Sequence, residues 1–273
     1  MTTELKRPIV QIKVGPVEGK QIAIIVGVHG NEKGPQLEWE WLNGLSIISG
    51  SLYLIFANPS ASDLGVRFVN VNLNRRFGMG LNEYPEDVIA REIEEILDKC
   101  DALLDLHMYN ETMDRPFAIC NAHSNSAAKV LPIDYVVNIP DEINGGGTDD
   151  YMARSDKIGV CFETGSVERP DDYSEIIRQG VIAFLASFGL IESPFVINSD
   201  LKVLTKDATK FVINRSFRFA RNYSSFDRIK KGELICTEDN HRFIAENDCF
   251  ILFPRPNNPI GTEAYYLLTE ARS

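Results

Sequence analysis

The chain has 273 residues, 44% of them hydrophobic and 25% charged, with a formal net charge of −11. That length holds one large α/β domain, or one with a smaller neighbour, and the hydrophobic share supplies a core and excludes a disordered chain. The acid excess repels phosphate, which argues against nucleic acid and anionic membranes as partners.

In chain order, residues 7–14 (RPIVQIKV) and 21–28 (QIAIIVGV) read as two strands around a turn at 15–19. Residues 35–45 carry Leu37, Trp41, Leu42 and Leu45 at helical spacing. SLYLIFA (51–57) is a short apolar run stopping at Asn58-Pro59, which predicts a buried strand and a turn. Residues 60–82 sustain no period and read as a long irregular loop, a length usually tied to function or disorder. An amphipathic helix is predicted over 85–100, opened by Pro85, with Val88, Ile89, Ile93, Ile96 and Leu97 on one face. ALLDLH (102–107) is another apolar strand, and FAIC (117–120) and YVVNI (135–139) are weaker ones. Three glycines at 145–147 break the chain, KIGVCFETG (157–165) reads as a strand, and 170–188 as a helix. Strands alternating with helices predict an α/β domain over 1–192, with a mixed, mostly parallel central sheet and flanking helices. Beyond that, short strand-like runs separated by turn residues predict a small β-rich domain over 193–273.

Five scattered cysteines without a CxxC pair read as buried free thiols in a reducing compartment. The opening MTTELKRPIV lacks the long apolar stretch of a signal peptide, and no run reaches the ~18 residues of a membrane span. The expectation is a soluble, cytoplasmic protein.

Three apolar runs end alike, at His29, His107 and Glu163. In open α/β sheets ligands bind beyond the carboxyl ends of the strands, so distant residues can meet there. His29 and Glu32, three apart, with His107 far along the chain, match the His₂Glu set of a catalytic zinc site, whose fourth position is left for water. Gly27, Gly30 and Gly34 would let the backbone turn sharply around it. The plainer alternative is a polar turn. Asp105 could orient a ligand, or could simply be a buried polar residue bonded to backbone. His123 and His241 lie in polar, loop-like contexts and read as surface residues.

Residues 64–82 contain no carboxylate but hold Arg67, Arg75 and Arg76 and four asparagines. Such a loop suits a carboxylate-binding pocket, or a basic patch pairing with the acidic helix that follows Glu83. Glu163, buried at a strand end, requires a partner. Near an activated water it could serve as general base and then proton donor, or it could form a structural ion pair with an arginine such as Arg154.

The set GVHGNE, NP (58–59), RFVNVNLNRRF (67–77), DLH (105–107) and FETG (162–165), followed by EAYY (263–266), resembles the aspartoacylase and succinylglutamate desuccinylase family of zinc-carboxypeptidase-like hydrolases. The resemblance runs in order from about residue 21 to 190. It implies one Zn²⁺ per chain on His29, Glu32 and His107, with Glu163 as catalytic acid/base. It also implies that Arg67 polarises the scissile carbonyl. Asn74 and Arg75 would bind a substrate carboxylate, Arg154 an acyl or side-chain carboxylate, and Tyr265 would be supplied by the C-terminal β domain to close the site. Two departures stand out. Asn72 replaces the family's usual aspartate, which implies loss of a pairing with a neighbouring arginine, and the Arg154-to-Glu163 interval is about one residue off.

The resulting expectation is a zinc-dependent deacylase for a small anionic N-acyl amino acid. Neither nucleic acid nor membrane is expected as a partner, and self-association is left open. The alternatives are a carboxypeptidase-like small-peptide hydrolase, and a non-catalytic zinc or small-molecule binder on the same fold.

Overall fold

β1 (Ile9–Val14) forms where its β-branched run predicts it, whereas β2 (Val17–Val26) starts inside the turn expected at 15–19 and stops before residue 28, and the two do not pair with each other. β1 lies antiparallel to β3 (Ser49–Phe56), with Ile9 opposite Phe56. β2 sits between β3 and β4 (Ala102–Tyr109), parallel to both. Every residue of β4 is buried, as expected of a parallel strand covered on both faces.

In this computed structural model residues 5–110, 115–139, 145–256 and 259–270 are described. The chain divides into two compact units, Met1–Leu201 and Lys202–Ser273. Within the first, the strand order is β1-β3-β2-β4-β7-β5-β6, where β5 is Phe117–Cys120, β6 Tyr135–Asn138 and β7 Ile158–Ser166. β7 runs parallel to β4 and antiparallel to β5, and β5 parallel to β6, so the sheet is mixed and mostly parallel as the alternating pattern predicts.

The period of two along β2 divides the core. Ile22, Ile24 and Val26 join one buried cluster with Ile177, Val181, Phe184 and Leu185, while Ala23 and Ile25 join another with Ile89, Ile93 and Leu97. The predicted helix at 35–45 is two short helices, α1 (Lys33–Leu37) and α2 (Trp39–Gly44), broken at Glu38, whose buried carboxylate accepts a hydrogen bond from Arg178 Nε at 2.6 Å. The irregular stretch predicted at 60–82 contains α3 (Pro59–Leu64), capped by Asn58 Oδ1 accepting from Ala61 N and closed by Gly65 at φ +64°. It also holds a 3₁₀ turn at Leu73–Arg75. α4 (Pro85–Leu97) starts at proline as predicted and ends at Leu97, three residues early. α5 (Asn125–Ala128) and α6 (Thr148–Ala153) have no counterpart in the sequence reading. α7 (Ser174–Ser187) follows a 3₁₀ turn at Pro170–Tyr173.

Residues 193–201, expected in the C-terminal domain, fall in the first unit. Asn198 donates its backbone N–H to Lys129 O and its side-chain amide to Ile133 O. In the second unit, β8 (Lys202–Phe211), β14 (Glu263–Glu270), β13 (Cys249–Leu252) and β10 (Arg228–Ile229) pair antiparallel in that order. β12 (His241–Ile244), β11 (Leu234–Glu238) and β9 (Arg218–Phe219) form a separate small sheet. All five cysteines are free and buried. Among the described residues no helix is long and apolar enough to cross a membrane.

Candidate metal centre

The histidine at the end of β2 is positioned by its glycines. The strand stops at Val26, and Gly27 turns the chain at φ +71°, a backbone that side chains resist. Gly30 then presses onto α3, where a Cβ would stand 2.0 Å from the Ala61 carbonyl carbon. Glu32 N–H donates to His29 O at 3.3 Å, closing a tight turn that brings both side chains to one side. His29 Nδ1 lies 2.7 Å from Glu32 Oε1.

β4 supplies the third member. Asp105 and His107, two apart on a strand, share a face. His107 Nδ1 lies 3.0 Å from Glu32 Oε2, and the two imidazole rings meet edge-on with centroids 5.0 Å apart. Met108 N–H also donates to Glu32 Oε2. The ligand atoms of His29, Glu32 and His107 all fall within 4.8 Å of one another, and each of the three residues is 2% exposed.

The outer nitrogens fix the chemistry. His107 Nε2 lies 2.9 Å from Asp105 Oδ2, and His29 Nε2 lies 3.0 Å from Asn72 Oδ1. Both partners are acceptors, so each Nε2 carries a proton and each Nδ1 presents a lone pair inward. Two inward lone pairs and the two Glu32 oxygens cannot face one another without positive charge among them. That donor set fits a divalent cation. The same demand appears in the proton affinities. Burial alone would raise the Glu32 carboxyl, but His29 and His107 hold it well below the usual carboxylate range. Against the opposing effect of burial, Asp105, Cys161 and Glu32 push His107 well above the ordinary imidazole value. His29, with no carboxylate behind it, is lowered by burial despite Glu32.

Glu163 stands in β7 directly across from His107 in the parallel register. Burial pushes its carboxyl up to about 7, His107 drawing it down only in part, and its Oε2 is buried without a hydrogen-bond partner. Arg67 donates from Nη1 to Glu32 Oε1 at 3.0 Å while its side chain stays 46% exposed, so it reaches the cluster from the solvent side.

The acid-free loop divides between its two readings. Arg76 pairs with Asp87 and Glu83 at the start of α4, as a structural patch would, and Glu86 accepts from the backbone N–H groups of Asn70 and Val71. Arg67 instead turns to the His29–Glu32–His107 cluster. Asn74 Oδ1 accepts from Thr148 N, and Arg75 is exposed with its guanidinium on Asn74 O. Arg154 donates to Gly78 O at 2.7 Å, and none of its hydrogen bonds among the described residues reaches the histidines. Tyr265 lies in the core of the second unit, its ring against Phe219 and its hydroxyl 3.5 Å from Cys236 Sγ.

Two supporting residues were not singled out as such from the sequence. Asn72 was read only as a lost ion-pair partner. Thr148 Oγ1 donates to Asp105 Oδ2 at 2.6 Å from the start of α6. The run GGGTDD, glycines followed by a threonine and acids, carries an ordinary helix-start signal, which marks the start of α6 but not the hydrogen bond to Asp105.

A profile of the succinylglutamate desuccinylase/aspartoacylase catalytic domain matches residues 18–187, which include every residue of this cluster. The chain belongs to that family. A succinylglutamate desuccinylase of Serratia proteamaculans is 22% identical over 288 residues, covering 95% of this chain and 88% of the relative. A probable aspartoacylase of Prochlorococcus marinus is 25% identical over 194 residues, covering 65% and 64% respectively. A crystal structure of a succinylglutamate desuccinylase from Vibrio parahaemolyticus superposes with a TM-score of 0.78 at 20% identity, over 96% of this chain and 86% of that one, which is a likeness of fold. The named members of the desuccinylase/aspartoacylase family are deacylases, that is, amide hydrolases.

Proposed function

We propose that the chain is a zinc-dependent deacylase that hydrolyses the amide of a small N-acyl amino acid bearing a carboxylate. One observation carries the reading: Glu163, with an unpartnered buried oxygen, lies in register beside a buried His₂Glu set whose lone pairs converge. His29, Glu32 and His107 would hold the zinc, which when bound supplies a Lewis acid and lowers the pKa of a coordinated water to about 7.

The remaining work falls to the chain's own side chains. Glu163 takes a proton from the attacking water at Oε2 and returns it to the amine nitrogen as the C–N bond breaks. Its carboxyl, held near 7, suits both directions of transfer at neutral pH. Arg67, already at the edge of the cluster, turns from Glu32 to the carbonyl oxygen as negative charge develops there. Asn74 and Arg75, from the same loop as Arg67, bind the substrate carboxylate through amide and guanidinium donors. Arg154, exposed and donating to Gly78 O, would have to leave that carbonyl to grip a second carboxylate. Tyr265 is engaged within its own unit, so the mechanism assigns it no step.

The deciding experiment is Glu163→Gln, assayed on N-succinylglutamate and a panel of N-acylaspartates, with zinc content measured in parallel. The expected result is about one zinc per chain in both proteins and a loss of turnover of about 10²-fold or more. Near wild-type turnover with intact zinc would refute the mechanism.

A further inference from the structure

Glu32 sits between two imidazoles, and each is steered from behind by a different kind of oxygen. Behind His107 is the Asp105 carboxylate, itself anchored by Thr148. Behind His29 is the amide oxygen of Asn72. The orientation of that amide follows from its second contact. The backbone N–H of Asn74, which can only donate, points to the same Oδ1 at 3.0 Å. Oxygen therefore faces the ring, and His29 Nε2 must be the protonated nitrogen.

We propose that Asn72 is a positioning residue that locks His29 in its Nε2–H form, and that its neutral amide makes His29 the weaker of the two imidazole ligands. The inference rests on the zinc-site reading above. A carboxylate receives an imidazole N–H in a charge-assisted bond roughly twice as strong as a neutral one, and it leaves a full negative charge behind the ring. Outer acceptors of this kind change metal affinity by about 10–100-fold when altered. With Asp105 behind one ring and an amide behind the other, this chain has a single outer carboxylate where two would fit. The site should therefore release its metal more readily than the same cage with two. Oδ1 is already fixed by Asn74 N–H, so replacing the amide nitrogen by oxygen alters charge at this point without moving the acceptor.

The test uses the full chain in competition with a chromophoric zinc chelator. Asn72→Asp, nearly the same size and retaining both acceptor contacts, should bind zinc about tenfold more tightly or better. Asn72→Ala, which removes the acceptor, should bind about tenfold or more weakly. Ring ¹⁵N shifts of His29 in zinc-loaded wild type should place the proton on Nε2, and that proton should exchange faster with solvent in Asn72→Ala, which lacks its acceptor. Unfolding midpoints of both variants confirm that they fold. Stoichiometric zinc in the wild type with no tightening in Asn72→Asp would overturn the inference and leave the zinc site standing. A His29 proton found on Nδ1 would overturn it as well. A wild type that takes up no zinc would overturn the zinc-site reading and this inference with it.

Discussion

Adding one methyl group at Gly30 should disable the centre from behind. The Cβ of Gly30→Ala would lie 2.0 Å from the Ala61 carbonyl carbon and 2.3 Å from both Ala61 O and Ser62 N. All three atoms are backbone, so no rotamer change relieves the clash. Reaching even the 3.0 Å that real Cβ atoms respect requires the turn and α3 to separate by about 1 Å. Overpacking of this kind costs about 1–3 kcal/mol. At about 2–4 °C per kcal/mol for a unit of this size, the midpoint should fall by about 2–12 °C. His29 and Glu32 ride on the displaced turn, and Gly30 N–H also ties it to Arg67 O. A shift of about 1 Å in such a constellation costs about 10²-fold in rate. The assays are differential scanning calorimetry, zinc affinity by chelator competition, and turnover. Gly44→Ala is the control, since nothing lies within 4 Å of the added methyl, and its midpoint should hold or rise. A Gly30→Ala protein with wild-type midpoint and zinc affinity would refute the claim that close contact with α3 positions the ligands.

Three further outcomes follow from the geometry. Arg67→Ala should leave stability within about 1 kcal/mol, because the side chain is 46% exposed and reaches Glu32 from the solvent side, yet lower kcat by about 10²-fold or more. An unchanged kcat would remove Arg67 from the mechanism. Burial alone would raise Asp87, but Arg76 and the backbone N–H groups of Tyr84 and Glu83 hold its carboxyl below the ordinary value. That stabilisation is complete above the unfolded carboxylate pKa of about 4 and is lost as pH falls through the lower folded value. Asp87→Asn should therefore cost about 3 kcal/mol at pH 7 and flatten the acid limb of a urea-unfolding series. An acid limb as steep as wild type would refute it. Glu238, 3% exposed, accepts from Lys210 Nζ and from the backbone N–H groups of Ile213 and Asn214. Glu238→Ala should lower the stability of the second unit, read by hydrogen exchange in β8 and β11, and leave exchange in β4 unchanged.

The parts of the fold set by local pattern were readable in the sequence. The second half of β2, β4 and the first half of β7 are mostly apolar runs, and α4 has a clear face and a proline start. What escaped depends on partners distant in sequence. β1 looked like one arm of a hairpin with β2, but β2 has both edges taken by parallel strands, so β1 goes to β3. The break at Glu38 is associated with an ion pair to Arg178, 140 residues away, which no periodicity reveals. α3 had its cap, its proline and its terminal glycine in plain view but lacks the apolar period that was being sought. At the centre, the His29–Glu32–His107 cluster and Glu163 beside it could be read from three strand ends. The roles of Asn72 and Thr148 could not, because hydrogen bonds to the outer side of a ring leave no spacing signature.

The parallel register of β4 and β7 also bears on how the protein comes to be functional in time. Glu32 and His107 are 75 residues apart, and His107 meets Glu163 only after a further strand has crossed over and paired. Non-local pairings of this type form slowly, since the closure entropy must be met before the contacts return anything. A slip of one residue between the two strands would turn Glu163 to the opposite face of the sheet. A chain in which β2, β4 and β7 have not yet paired therefore has neither the His29–Glu32–His107 cluster nor Glu163 beside it. On the proposed zinc-site reading, metal uptake becomes a clock for folding: zinc added in excess during refolding should be captured with the rate constant of the slowest strand-pairing step the cluster needs, whatever its concentration.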